Sequence, residues 1–168
     1  MNAIVCVDVN GGIGLDTDLL FHFSKDMKRF KSLTQNSVVI MGRKTFETFP
    51  SPLKNRINIV LTKQIDYVKE GVIVTNKENI NSILSRPEFK DMSVWIIGGA
   101  EIYELFRDEI TCWEITYVPE VVESNVNISE LIKCIRSTWY RSEITENIDF
   151  DKKTDTEKTF YFETYKPC

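Results

Sequence analysis

"SVVIMGRKTFETF", residues 37–49, begins as a strand and then changes character. Val38, Val39, Ile40 and Met41 form an apolar, largely β-branched run of the kind found in strands covered on both faces. Gly42, the adjacent cations Arg43 and Lys44, and Thr45 come next. Helical spacing then holds until Pro50 and Pro52 stop it. A helix start carries unpaired backbone N–H groups and the positive end of the helix dipole, so it attracts phosphate, and neighbouring cations add to that pull. Taken alone, the stretch fits an exposed turn with solvated charges equally well.

The same strand–turn–helix pattern returns at "VWIIGGAEIYELF", residues 94–106. Gly98 and Gly99 lack the Cβ atoms that would block a closely approaching pyrophosphate, although a diglycine also serves as a simple tight turn. The spacing is not G-x-G-x-x-G, so no ordinary Rossmann assignment follows. Two such junctions in one short chain would place a diphosphate-bearing ligand at the carboxyl ends of the strands.

The flanking segments continue the alternation. "AIVCVDV" (3–9) reads as the first strand and ends in the turn residues Asn10, Gly11 and Gly12. Ser24 is placed to N-cap a helix over 25–34. "RINIVLT" (56–62) and "GVIVT" (71–75) read as strands, and "KENINSILS" (77–85) as a helix. "CWEITYV" (112–118) opens a strand-rich remainder that ends in "TFYFETYKP" (159–167), whose alternation predicts antiparallel pairing. The charged stretch "TENIDFDKKTDTEK" (145–158) is expected to be an exposed hairpin connection. The expected fold is α/β: one domain over residues 1–168, with a mainly parallel central sheet, flanking helices and a C-terminal antiparallel hairpin.

The 168 residues, 42% hydrophobic and 27% charged, are enough to bury a core without disulfides or metal. A net charge of -4 gives no general attraction for nucleic acid or an anionic membrane. No apolar run approaches the roughly 20 residues that span a bilayer, and the first residues lack the features of a secretion signal. Cys6, Cys112, Cys134 and Cys168 match no C-x-x-C spacing, and His22 is the one histidine, so no metal site is expected. A cytoplasmic protein acting on a small molecule fits these constraints, with a monomer as the expected state.

Two side chains stand out against this background. On a helix starting near Ser24, Asp26 shares a face with Phe30 and Leu33. A carboxylate on a buried face is costly unless it is paired or bonded to a ligand, and burial raises its pKa. The helix dipole alone would also favour Asp in a first turn. Arg56 opens a strand after a proline-containing turn, where a guanidinium can clamp a carboxylate through two parallel bonds or simply sit in solvent.

Taken in order, "IVCVDVNGGIG", "DMKRFKSLT", "VVIMGRKTFETFP", "PLKNRINIVLT", "VWIIGGAEIYELF" and "ITYV" resemble dihydrofolate reductase over roughly residues 4–118. The resemblance implies reduction of 7,8-dihydrofolate by NADPH, with hydride delivered to C6 and a proton to N5, and antifolates as further ligands. It implies that Asp26, supported by Thr116, holds the pterin ring. Ile4, Val5, Met27, Phe30, Phe49, Leu53, Ile97 and Tyr103 would surround the substrate, and Arg56 would bind its α-carboxylate. The cofactor would lie against Cys6, Ile13, Gly14 and Leu19, and against Gly42, Arg43, Lys44 and Thr45. Leu61, Thr62 and Lys63 would meet its adenosine end, and Gly98, Gly99, Ala100, Glu101 and Ile102 its diphosphate.

Leu19, Leu20 and Phe21 stand where the family has Leu-Pro-Trp, and "SNVNIS" (124–129) where it has Gly-Asp-x-x-Phe-Pro, which implies altered loops beside the site. A same-fold pyrimidine or pterin reductase and a non-catalytic folate- or nucleotide-binding relative are the alternatives. The combination of Asp26, Phe30 and Arg56 favours a glutamate-bearing substrate over the first of these.

Overall fold

The uninterrupted apolar runs form the interior of an eight-stranded sheet in the computed structural model, which describes residues 1–168. In chain order the strands are β1 (Asn2–Val7), β2 (Gly12–Leu15), β3 (Asp18–Leu19), β4 (Val38–Gly42), β5 (Ile57–Leu61), β6 (Ile73–Thr75), β7 (Val94–Ile96), β8 (Cys112–Tyr117), β9 (Val126–Asn127), β10 (Trp139–Asp151) and β11 (Thr156–Pro167). The helices are α1 (Ser24–Thr34), α2 (Arg43–Glu47), α3 (Ile80–Leu84), α4 (Ala100–Leu105) and α5 (Ser129–Thr138). The main sheet runs β10-β11-β8-β1-β7-β4-β5-β6, and β3-β2-β9 form a second, three-stranded sheet. The pairs from β8 to β6 are parallel, whereas β11 pairs antiparallel with both β8 and β10.

Both faces of the parallel part are covered, which explains why its strands are apolar throughout. On one face Val5, Val7, Ile40 and Ile96 pack with Ile80 of α3, Ile102 and Tyr103 of α4, and Leu131, Ile132 and Ile135 of α5. On the other, Ile4, Val39, Met41, Val60, Trp95 and Ile97 pack with Phe46 of α2 and with Phe30 and Leu33 of α1. β4 and β7 are neighbours, yet the chain leaves them in opposite directions. β4 leads through α2 to β5, and β7 leads through α4 to β8 on the far side of β1. Such a divergence opens a crevice at the carboxyl ends of the two strands.

Three local expectations change. Ser24 is the first helical residue and Phe23 takes the cap position, with no side-chain cap bond. Helix α5 lies inside the region read as strand-rich, and its buried Leu131, Ile132 and Ile135 carry the spacing that marks it. Most of residues 145–158 is strand, with the connection confined to residues 152–155 between β10 and β11. The charges there do not prevent pairing because long edge strands tolerate solvated side chains on the exposed face. No helix is long and apolar enough to cross a membrane.

Candidate active site

The two glycine junctions meet at the β4/β7 crevice. The Gly42 N–H donates to the Gly98 carbonyl at 2.8 Å, and the Ile97 N–H donates to the Ile40 carbonyl at 3.0 Å. Gly98 has φ +109°, a left-handed conformation suited to glycine, and a Cβ there would lie 3.2 Å from the Tyr103 ring. A Cβ on Gly99 would come within 3.3 Å of Thr45 Oγ1, so α2 and α4 start close together. The small residues therefore let Tyr103, Thr45 and Ile102 pack close to the backbone where two helix starts converge. This arrangement fits a diphosphate, with Arg43 and Lys44 on the first turn of α2 supplying charge. Arg43 is held by Glu47 at 2.8 Å, and its guanidinium lies 6.0 Å from the Tyr67 ring centre. Tyr67 in turn borders an open depression of about 520 Å³ formed with Lys63, Gln64, Ile65 and Asp66.

Asp26, in the first turn of α1, is held against the interior strand β8. The Thr116 hydroxyl on β8 donates to Asp26 Oδ1 at 2.5 Å, and Oδ2 has no donor from the protein. The β1–β8 register sets Cys6 opposite Thr116, so the acid sits beside the middle of the sheet. Burial raises the Asp26 carboxyl above its usual range, opposed by the Thr116 bond and by the charge of Arg29. Phe30, Phe49 and Leu53 pack around Ile4 and Ile97 on the same face. The result is an apolar surface with one under-satisfied carboxyl.

A sequence model described as dihydrofolate reductase matches residues 1–166. The chain belongs to the dihydrofolate reductase family. It is 36% identical over 141 residues to dihydrofolate reductase type 8 of Escherichia coli, covering 79% of this chain and 83% of the relative. It is 31% identical over 182 aligned positions to dihydrofolate reductase of Heliothis virescens, covering 99% and 96%. Among solved structures, dihydrofolate reductase from Enterococcus faecalis complexed with NADP(H) and RAB-propyl superposes with a TM-score of 0.81 at 28% identity, covering 99% of this chain and 95% of that one.

Placed in this dihydrofolate reductase, the remaining residues named from sequence divide into groups. Arg56 donates through Nε to the Lys54 carbonyl at 3.1 Å and through Nη1 to Thr34 Oγ1 at 3.0 Å. Its Nη2 has no protein acceptor, and the guanidinium lies 5.7 Å from the centre of the Phe30 ring. Tyr103 is buried, and its hydroxyl donates to the Ile4 carbonyl at 2.6 Å. Burial pushes that phenol far above its ordinary value, and the Cys6 thiol is raised likewise. Both therefore stay neutral at physiological pH.

Other members of the set divide between the core and the surface. Val5, Leu61 and Ile102 are buried in the core on the α4 face, and Ile13 and Ala100 pack against it. Met27 and Leu19 are exposed, as are Lys44, Lys63 and Glu101. Gly14 lies in β2, paired with Leu19 and Val126, and Thr62 accepts the Gln64 N–H at 3.1 Å.

The loop that carries Phe21 is firmly fastened despite lacking the family's proline and tryptophan. Phe21 stacks on Phe23 at 5.7 Å, and Phe23 on Phe160 at 4.4 Å. Asp16 and Asn125 exchange hydrogen bonds at 2.7 Å, which ties the loop to the altered 124–129 segment. Sequence reasoning missed the fastening by Asp151 and Lys153, and it missed the pairing of Arg29 with Glu114. These contacts span 85 to 135 residues of chain, so no local pattern announces them.

Proposed function

We propose that residues 1–168 act as one domain that reduces 7,8-dihydrofolate to 5,6,7,8-tetrahydrofolate with NADPH. The observation that carries this reading is Asp26. It is a desolvated carboxyl with one protein donor and one free oxygen, on an apolar surface beside a glycine-lined crevice. A pterin offers an exocyclic amino group and a ring N–H side by side, which match the two oxygens of a carboxylate.

NADPH, when bound, supplies the hydride for C6. Gly42, Gly98, Gly99 and Thr45 would hold its diphosphate, and Arg43, Lys44 and Lys63 its charged adenosine end. Phe30, Phe49, Leu53, Ile4 and Ile97 exclude water and fix the plane of the pterin. The negative charge of Asp26 stabilises the substrate protonated at N5, which is the form that accepts hydride readily. The free Nη2 of Arg56 grips the α-carboxylate of the substrate tail. Every group in this scheme comes from one chain, which fits a monomer, and four free cysteines fit the reducing cytoplasm. Antifolates would occupy the Asp26 pocket through the same paired donors.

The test is NADPH oxidation by the purified chain on adding dihydrofolate, with NADH and an antifolate as controls. Antifolate-sensitive turnover that prefers NADPH is expected. A folded, NADPH-binding protein without turnover would overturn the proposal.

A further inference from the structure

The face of β8 that meets α1 carries a second contact beside Thr116–Asp26. Glu114 lies two residues before Thr116 and therefore points the same way from the strand. Arg29 lies three residues after Asp26 and occupies the same flank of the helix. Arg29 Nη2 pairs with Glu114 Oε2, with the two side chains 16% and 13% exposed. Glu114 Oε2 also accepts from Thr164 Oγ1 of β11 at 2.8 Å, and Cys112 Sγ lies 3.7 Å from Oε1. The guanidinium is 4.5 Å from the centre of the Phe162 ring, and its Nη1 is buried without a protein acceptor.

We infer that this pair tunes the pterin-binding acid: Arg29, on the same flank of α1, favours the carboxylate form of Asp26, and Glu114 fixes Arg29 while limiting its effect. The inference rests on the functional reading above for the importance of Asp26. A pair serving only to fasten α1 to the sheet gains little over two apolar side chains, since desolvation offsets most of its attraction. Here an incompletely partnered cation is instead retained beside the one acid of the pocket.

The neighbouring titratable groups leave Arg29 as the main source of positive field. Cys6 on β1 and Tyr103 on α4 face Asp26 but are neutral, as burial drives both above their usual values. Asp8 and Asp151 act on Cys6. The same face of β8 carries Cys112, whose thiol burial pushes up to about 11, with Glu114 and Thr116, and Arg29 opposes the effect of burial on Asp26.

Arg29 and Glu114 are thus positioning residues, and their signature is a pair of opposite shifts. The experiment is a carbon-detected NMR titration of the Asp26 carboxyl in the free protein, assigned with Asp26→Asn. Arg29→Met should raise its pKa by about one unit or more, because the cation is lost and Glu114 is left behind. Glu114→Gln should lower it by roughly half a unit, and Arg29→Lys should keep it near the wild-type value. In active enzyme the pH profile of kcat/KM for dihydrofolate should move in the same directions.

Shifts of equal sign from Arg29→Met and Glu114→Gln, or no shift in either, would overturn the inference. If Arg29→Met does not fold, Glu114→Gln decides alone, with a downward shift supporting it and any other result ending it. The titration needs no substrate. Opposite shifts in a wild-type protein without turnover would therefore reject the functional reading and leave the electrostatic one standing.

Discussion

Asp151 is fully buried and Asp26 partly so, and the molecule treats the two acids differently. Asp151, at the end of β10, is fully buried and accepts from three donors: the His22 N–H at 2.9 Å, the Lys153 N–H at 3.2 Å and the Thr154 hydroxyl at 3.1 Å. It closes the hairpin turn and holds the loop that precedes α1, where the Lys152 N–H also bonds to the His22 carbonyl at 3.1 Å. Asp26 has the Thr116 hydroxyl and nothing else. A carboxyl whose bonds are complete is structural, whereas one left with an open oxygen in a desolvated pocket is built for a ligand.

The two acids should accordingly respond to the same substitution with opposite signs. Asp26→Asn is expected to cost roughly a hundredfold or more in turnover at neutral pH. Partial recovery should follow in acid, where dihydrofolate arrives already protonated. A pH–rate profile of unchanged shape would remove Asp26 from the mechanism. The stability effect runs the other way. Because the folded carboxyl titrates above its unfolded value, its stabilising contribution is complete only below the ordinary carboxylate range and is lost as pH rises through the folded pKa. Asp26→Asn should therefore melt above wild type at pH 7, and the gap should close in acid.

Asp151→Asn should do the reverse and lower stability by about 2–3 kcal/mol, since an amide nitrogen would face donors that lose their acceptor. Denaturant titration measures this, and a neutral result would contradict the structural role. Turnover per folded molecule should change far less than in Asp26→Asn.

Arg56→Ala comes next in size. Loss of a charge-assisted bond should raise KM for dihydrofolate roughly ten- to a hundredfold. A tail-less dihydropterin should be little affected, and equal losses on both substrates would sink the assignment. The smallest effect belongs to Lys153→Met. Lys153 bonds to Asp18 at 2.8 Å and to the Leu19 carbonyl at the outer edge of the loop, where exposure limits such a pair to within about 1 kcal/mol of stability. A thermal melt checks this, and a large loss would show that the aromatic stack of Phe21, Phe23 and Phe160 does not hold the loop by itself.

Much of this molecule is legible in its sequence. Apolar runs bounded by glycine identify the parallel strands because a strand covered on both faces must be apolar throughout. Gly42, Gly98 and Gly99 mark the crevice because close backbone approach tolerates no Cβ there. Asp26 can be singled out because a carboxylate in phase with Phe30 and Leu33 has to face the interior. These are properties of neighbours in the chain, with a spacing that physical chemistry fixes.

Other features depend on residues far apart in sequence. The helix at 129–138 was masked by the strand-like segments on either side of it. Charge concealed the pairing of residues 145–151 with 156–162, which gains its stability from a partner strand. Val5 sits in the core because side chains alternate across a sheet, and Ile102 because that face of α4 packs on the sheet. Arg29 became a neighbour of Glu114 only when α1 packed on β8, and Asp151 became an anchor only when the hairpin met the loop. Chain chemistry chose the acid and the phosphate-ready turns, but tertiary packing decided which acid is left wanting a partner, because hydrogen-bond satisfaction depends on what folding brings into reach.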